Sequence, residues 1–99
     1  MSKVTIYKDE NSLFQYETDS NGMYFLHAEI YKWSPYIYKK SKLIFNKWME
    51  TMYQQGVLAM FVAIPDNDEK LYKFERLFGF KEYFRKDGII LMFQETERV

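Results

Sequence analysis

Cysteine is absent from these 99 residues, which excludes disulfides, thiolate metal sites and a cysteine nucleophile. Histidine occurs once, and one imidazole cannot build an ordinary zinc site. No charge of either sign is in excess: fourteen basic and fourteen acidic side chains cancel. A neutral chain has no electrostatic reason to seek nucleic acid or an anionic membrane. Long apolar runs are also missing, and Met1-Ser2-Lys3-Val4 opens no signal-peptide core. There is no Ser-His-Asp set, no phosphate-loop motif, no repeat and no low-complexity tract. Together these absences point to a soluble, cytoplasmic protein with no membrane partner.

Aromatic residues are what the chain has in abundance. They make up 20% of it, as nine Phe, nine Tyr and two Trp. Large rings bury much area per residue, so a short chain can build its core from them. At this length that core belongs to one domain, spanning residues 1–99. Nine tyrosines exceed what such a core absorbs, so some must lie at the surface. There they either serve protein contacts or simply reflect AT-rich codon usage, with which the Lys, Asn, Ile and Phe content agrees.

Hydrophobic periodicity divides the chain into eight elements. Val4–Tyr7, Leu13–Glu17 and Met23–Tyr31 read as three strands in a meander, the second turn ending in Asn21-Gly22, a pair suited to a tight hairpin. The third strand places Tyr24, Leu26, Ala28 and Ile30 on one face, and Phe25, His27 and Glu29 on the other. Ser34 as N-cap and Pro35 at the first helical position begin a helix. Its apolar stripe is Ile37, Ser41, Ile44, Phe45, Trp48 and Met52, and Gly56 stops it. Val57–Ile64 reads as a strand covered on both faces. Asp66–Phe78 reads as a second helix, with Asp66 and Glu69 as a capping box and Leu71, Phe74, Leu77 and Phe78 as its apolar face. Phe80–Phe84 and Ile89–Gln94 close the chain as a hairpin around Lys86-Asp87-Gly88, leaving a polar, frayed tail over Glu95–Val99. The predicted order is βββ-α-β-α-ββ, an α/β (α+β) fold with helices packed on a mixed sheet.

That order, with Phe74-Glu75-Arg76-Leu77-Phe78-Gly79-Phe80 and the hairpin through Arg85-Lys86-Asp87-Gly88, resembles the GNAT superfamily of acyl-CoA N-acyltransferases. Relative to a full GNAT domain the chain lacks the first strand and the helices that follow it. Within the superfamily it looks most like small GNAT-like proteins of tailed phages, among them the internal virion-assembly protein of T7-like phages. Lys39-Lys40-Ser41-Lys42, Met60-Phe61-Val62 and Arg85-Lys86-Asp87-Gly88 carry that likeness.

The resemblance implies acetyl-CoA as cofactor if the chain is an enzyme, and it supplies the candidate residues. GNAT enzymes hold the CoA pyrophosphate on a glycine-rich turn that opens the long helix; Tyr31–Ser41, the matching stretch, contains no glycine. Lys39, Lys40 and Ser41 are the candidate contacts there, with Asn67 near the start of the second helix; a plain solvated helix face is the competing reading of the lysines. The family's general acid is a tyrosine whose place, aligned on Gly79, falls to Glu75; Tyr72 lies one turn earlier and would need a shifted helix. His27 and Glu29 share one face of a strand that often carries the family's general base. Glu29 could equally pair with a lysine across the sheet.

The favoured reading is therefore a GNAT-fold protein of phage type with a degenerate cofactor cleft and no cofactor. It would act through protein contacts, in virion assembly or on a host protein, with self-association open to it; the virion then joins the host cytoplasm as its location. The alternative is a minimal acetyl-CoA-dependent N-acetyltransferase using His27, Glu29 and Tyr72. Nucleic-acid binding through Lys39, Lys40, Lys42 and Lys47 beside Trp48 ranks last, given the neutral charge and the expected burial of Trp48.

Overall fold

The computed structural model describes residues 3–96, and all eight predicted elements are present. In order they are β1 (Val4–Lys8), β2 (Ser12–Thr18), β3 (Tyr24–Ile30), α1 (Pro35–Gln54), β4 (Ala59–Pro65), α2 (Glu69–Leu77), β5 (Lys81–Lys86) and β6 (Ile89–Glu95). The strands form one six-stranded mixed sheet in the order β1-β2-β3-β4-β6-β5. Every neighbouring pair is antiparallel except β3 and β4, which run parallel across the α1 crossover.

Both helices lie on one face of the sheet. Even-numbered residues of β4 and β6 (Met60, Val62, Ile64, Ile90 and Met92) point under them and are buried. Odd-numbered Phe61, Leu91 and Phe93 stay half-buried on the other face, and Ala63 is exposed. The expectation of a β4 covered on both faces is thus corrected: its continuous apolar run serves a core on one side and an open aromatic surface on the other. Phe45 of α1 sits at the centre of the core, with ring centroids 5.6 Å from Phe78 and 5.7 Å from Phe80. Trp48 is buried as expected, and Met49 joins the α1 stripe, whereas Ile44 is only half-buried. Tyr31, Tyr36, Tyr53 and Tyr83 are exposed, so part of the tyrosine surplus does lie at the surface.

Local chemistry explains the boundaries. At α1, Ser34 accepts a hydrogen bond from the Ile37 amide at 3.1 Å, Pro35 follows it, and Gly56 at φ 88° ends the helix. At α2 the cap is Asp68, which accepts from the Leu71 amide at 3.0 Å; the predicted Asp66 box does not form because the helix starts later. The face of α2 is shifted as well: Leu77 is exposed and Glu75 takes the buried position. At the β5–β6 hairpin Asp87 (φ 55°) and Gly88 (φ 81°) both adopt left-handed backbone, the signature of a two-residue type I′ turn.

The β2–β3 turn is built differently from the tight hairpin expected of Asn21-Gly22. Among the described residues Asp87 is the one non-glycine with positive φ, so Asn21 keeps a negative φ and Gly22 (φ 81°) alone crosses over. Asp19 organises a longer loop: its carboxylate accepts from the Asn21 and Met23 amides, each at 2.9 Å, and its own amide donates to the Met23 carbonyl. At the other end, the polar tail begins later than expected. Glu95 still belongs to β6, and Thr96 is 1% exposed with its amide bonded to the Leu58 carbonyl. The remainder of the predicted tail, like Met1 and Ser2, lies outside the described residues.

Candidate functional site

Parallel β3 and β4 share only two register pairs, Tyr24↔Met60 and Phe25↔Phe61. Beyond them the strands part, and the gap is a passage of about 190 Å³ from the open face of the sheet toward α2. His27 and Glu29 of β3 and Ala63 of β4 line one mouth, while Leu26, Ile64 and Glu75 line the inner end. A splay of this kind is where unpaired strand backbone and side chains from both sheet faces can meet one ligand.

Glu75 is the notable group at the inner end. It is 6% exposed, packed among Phe14, Phe45, Phe74 and Phe78, and its carboxyl has no hydrogen-bond partner among the described residues. Burial pushes its pKa up from 4.5 to about 7, because the ionised form loses its hydration with nothing in exchange. Near neutrality it therefore exchanges its proton readily, donating while neutral and attracting a cation once ionised. Its spacing carried the signal: Glu75 lies four residues after Leu71 and three before Phe78, inside the apolar stripe of α2.

At the outer mouth His27 has a partner that the strand pattern did not reveal. Its Nε2 lies 2.6 Å from Glu17 Oε1 on β2, a diagonal cross-strand pair, while Glu29 is exposed and opposite Leu13. No lysine pairs with Glu29 among the described residues; instead it faces Tyr31, whose hydroxyl is held above its ordinary pKa by desolvation and then by Glu29. His27 and Glu29 thus share a face as expected, but His27 works with Glu17.

The other candidates are dispersed. Tyr72 points away from the passage toward β5: its hydroxyl donates to Glu82 Oε1 at 3.3 Å, and the Arg85 guanidinium sits 5.9 Å from its ring centre. Lys40 is engaged with Asp9, Nζ to Oδ2 2.8 Å, which raises the lysine pKa and holds the Asp9 carboxyl well below the usual carboxylate range. Ser41 is 2% exposed and turned into the core, so its hydroxyl is not offered to a ligand. Lys39 is exposed on α1, and Asn67 is exposed just before the Asp68 cap.

The N-terminus of α1 is the place where the fold class would receive a pyrophosphate, and the residues present do not fit one. Pro35 has no N–H, the Ile37 N–H is taken by Ser34 Oγ, and the Tyr38 N–H is bonded to the Ser34 carbonyl. Of the first-turn amides only that of Tyr36 remains, under an exposed ring. Beside it, Trp33 closes edge-on over Tyr38 and Phe74, with centroids 5.7 and 5.5 Å away. This makes a mainly apolar groove with Ile30, Leu71 and Leu77, edged by Asp68, Lys70 and Lys73, that offers no row of free backbone amides to an anion. Among the described residues no cluster could hold a metal ion, and no helix is long and apolar enough to cross a membrane.

The topology, the splay and the crossover helix together define a GNAT-like fold. A crystal structure of a GNAT-family acetyltransferase from Listeria monocytogenes is similar, with a TM-score of 0.65 and 16% sequence identity. The match covers 86% of this chain, which spans 57% of the length of that protein. No family model matches the sequence, and no curated protein matches it. At this identity the likeness establishes the fold, and acetyl-CoA is the cofactor it would imply for an active member.

Proposed function

We propose that this chain is a GNAT-fold protein-interaction factor whose acetyl-CoA site is degenerate. The observation that carries the reading is the start of α1, where Pro35 lacks an N–H and Ser34 occupies those of Ile37 and Tyr38, leaving one first-turn amide for a pyrophosphate. The open, aromatic face of the sheet supports it, because Phe61, Phe93, Tyr83 and Phe84 form a contiguous apolar surface with no covering element among the described residues. A phage setting, in virion assembly or on a host protein, rests on the likeness of Lys39–Lys42, Met60–Val62 and Arg85–Gly88 to small tailed-phage proteins.

One observation favours a second reading, a minimal acetyl-CoA-dependent N-acetyltransferase: Glu75, at the family's acid position, is buried at the splay with a pKa near neutrality. Titration calorimetry of the chain with CoA and with acetyl-CoA separates the two. The interaction reading expects no binding up to about 1 mM ligand, and a dissociation constant in the micromolar range would overturn it.

A further inference from the structure

The open face of the sheet carries a row of residues whose order has a consequence. Strand register aligns Glu17 of β2 with Phe25 of β3, Phe25 with Phe61 of β4, Phe61 with Phe93 of β6, and Phe93 with Lys81 of β5. Read across five strands, the row is acid, aromatic, aromatic, aromatic, base. Phe25 and Phe61 already touch, with centroids 6.0 Å apart, and Tyr83 bridges Phe61 and Phe93 at 6.4 and 5.6 Å. The row is its own complement under a two-fold axis that runs along β4. That rotation lays Phe61 on its own copy, Phe25 on the partner's Phe93, and Glu17 on the partner's Lys81.

We propose that a second copy of this chain occupies the open face, packed sheet to sheet about that axis; the proposal rests on the interaction reading above and names its partner. The charged ends are available for it. Lys81 is exposed and has no ion-pair partner among the described residues. Glu17 uses Oε1 on His27, leaving Oε2 for a second donor. The size is also suitable. The five strands that overlap about this axis, at a spacing of ~4.8 Å, and seven residues at ~3.3 Å give a footprint of roughly 24 by 23 Å, toward the low end of one side of a specific interface. Aligned packing of two sheets on their apolar faces is an ordinary architecture, and opposed charges at the rim fix which of the alignments forms.

Sedimentation velocity of the chain between about 10 and 500 µM tests this, with circular dichroism confirming that each variant is folded. The expected result is a monomer–dimer equilibrium that Phe61→Asp abolishes. Glu17→Lys and Lys81→Glu should each weaken it at least about tenfold, by placing like charges at both ends of the row. The double variant, in which the row is reversed but again self-complementary, should recover most of the wild-type affinity. Because Glu17→Lys removes the His27 pair in the single and the double variant alike, the recovery isolates the contact between copies. A monomer at every concentration, a dimer insensitive to Phe61→Asp, or a double variant no tighter than the singles overturns the proposal. None of these outcomes alters the CoA titration, so failure here is distinct from failure of the interaction reading.

Discussion

Replacing Glu75 with glutamine should make the protein more stable at pH 8 than at pH 5 relative to wild type, and the size of the effect follows from burial alone. The carboxyl titrates near 4.5 in an unfolded chain and near 7 in the folded one, so unfolding releases a proton between those values. Stability contributed by this group is intact below pH 4.5, falls as pH rises from 4.5 to 7, and stays low above it. Each unit of separation is worth ~1.4 kcal/mol, so wild type loses about 3 kcal/mol across that window through this side chain. Solvent screening takes little from the figure, because Glu75 is 6% exposed and ringed by four phenylalanines. Glutamine keeps the shape and cannot ionise; its buried amide adds an offset that does not vary with pH. The assay is urea unfolding of both proteins at half-unit steps from pH 4.5 to 8, read as the difference between them. That difference should move by about 3 kcal/mol in favour of the variant, or roughly 10–20 °C in melting temperature for a domain of this size. Parallel curves, with a difference constant to within about 1 kcal/mol, would refute the claim that the carboxyl is buried without a partner.

Two further perturbations probe the frame around the site. Asp9→Asn removes the anion that accepts from the Asn11 and Ser12 amides, the Tyr7 hydroxyl and Lys40. Because the Asp9 pKa is depressed, its contribution is present above its ordinary value of 3.8 and lost as pH falls below it. The variant should therefore melt lower than wild type at pH 7 and converge with it in strong acid, as followed by circular dichroism. Gly79→Ala should destabilise by about 2 kcal/mol or more in chemical unfolding, because its φ of 101° excludes a side chain and the new Cβ would lie 2.8 Å from the Gln94 amide.

Most of the fold was legible because the signals that carry it are local. Ser34-Pro35, Gly56, Asp87-Gly88 and the alternation along β3 each act within a few residues, and each element they imply is present. The site was less legible because it depends on register and on which residue of a short helix faces inward. Asp19 ties the β2–β3 loop one residue away from the tight turn that Asn21-Gly22 favours, and that shift brings Glu17 rather than Tyr16 to the face shared with His27. Asp68 displaced Asp66 as the cap of α2 because three acidic or amide side chains in succession, Asp66, Asn67 and Asp68, could each have filled it. On α2 the hydrophobic preference of Leu77 argued for burial, whereas helical spacing from Leu71 and Phe78 argued for Glu75, and geometry outweighed composition.

The scarcity of pairing between β3 and β4 reaches beyond the passage it opens. Two register pairs are all that join residues 4–30 to residues 59–95 across the sheet. The protein is thus two three-stranded rafts, each contiguous in sequence and laced internally by antiparallel ladders, moored to each other at one end. Cohesion between them falls chiefly on the layer above, where Trp48 of α1 packs on Tyr16 of the first raft and Phe45 of α1 on Phe78 and Phe80 of the second. A load across the strands would therefore part the sheet along this seam first, and the aromatic layer, more than the backbone ladder, sets how far it opens.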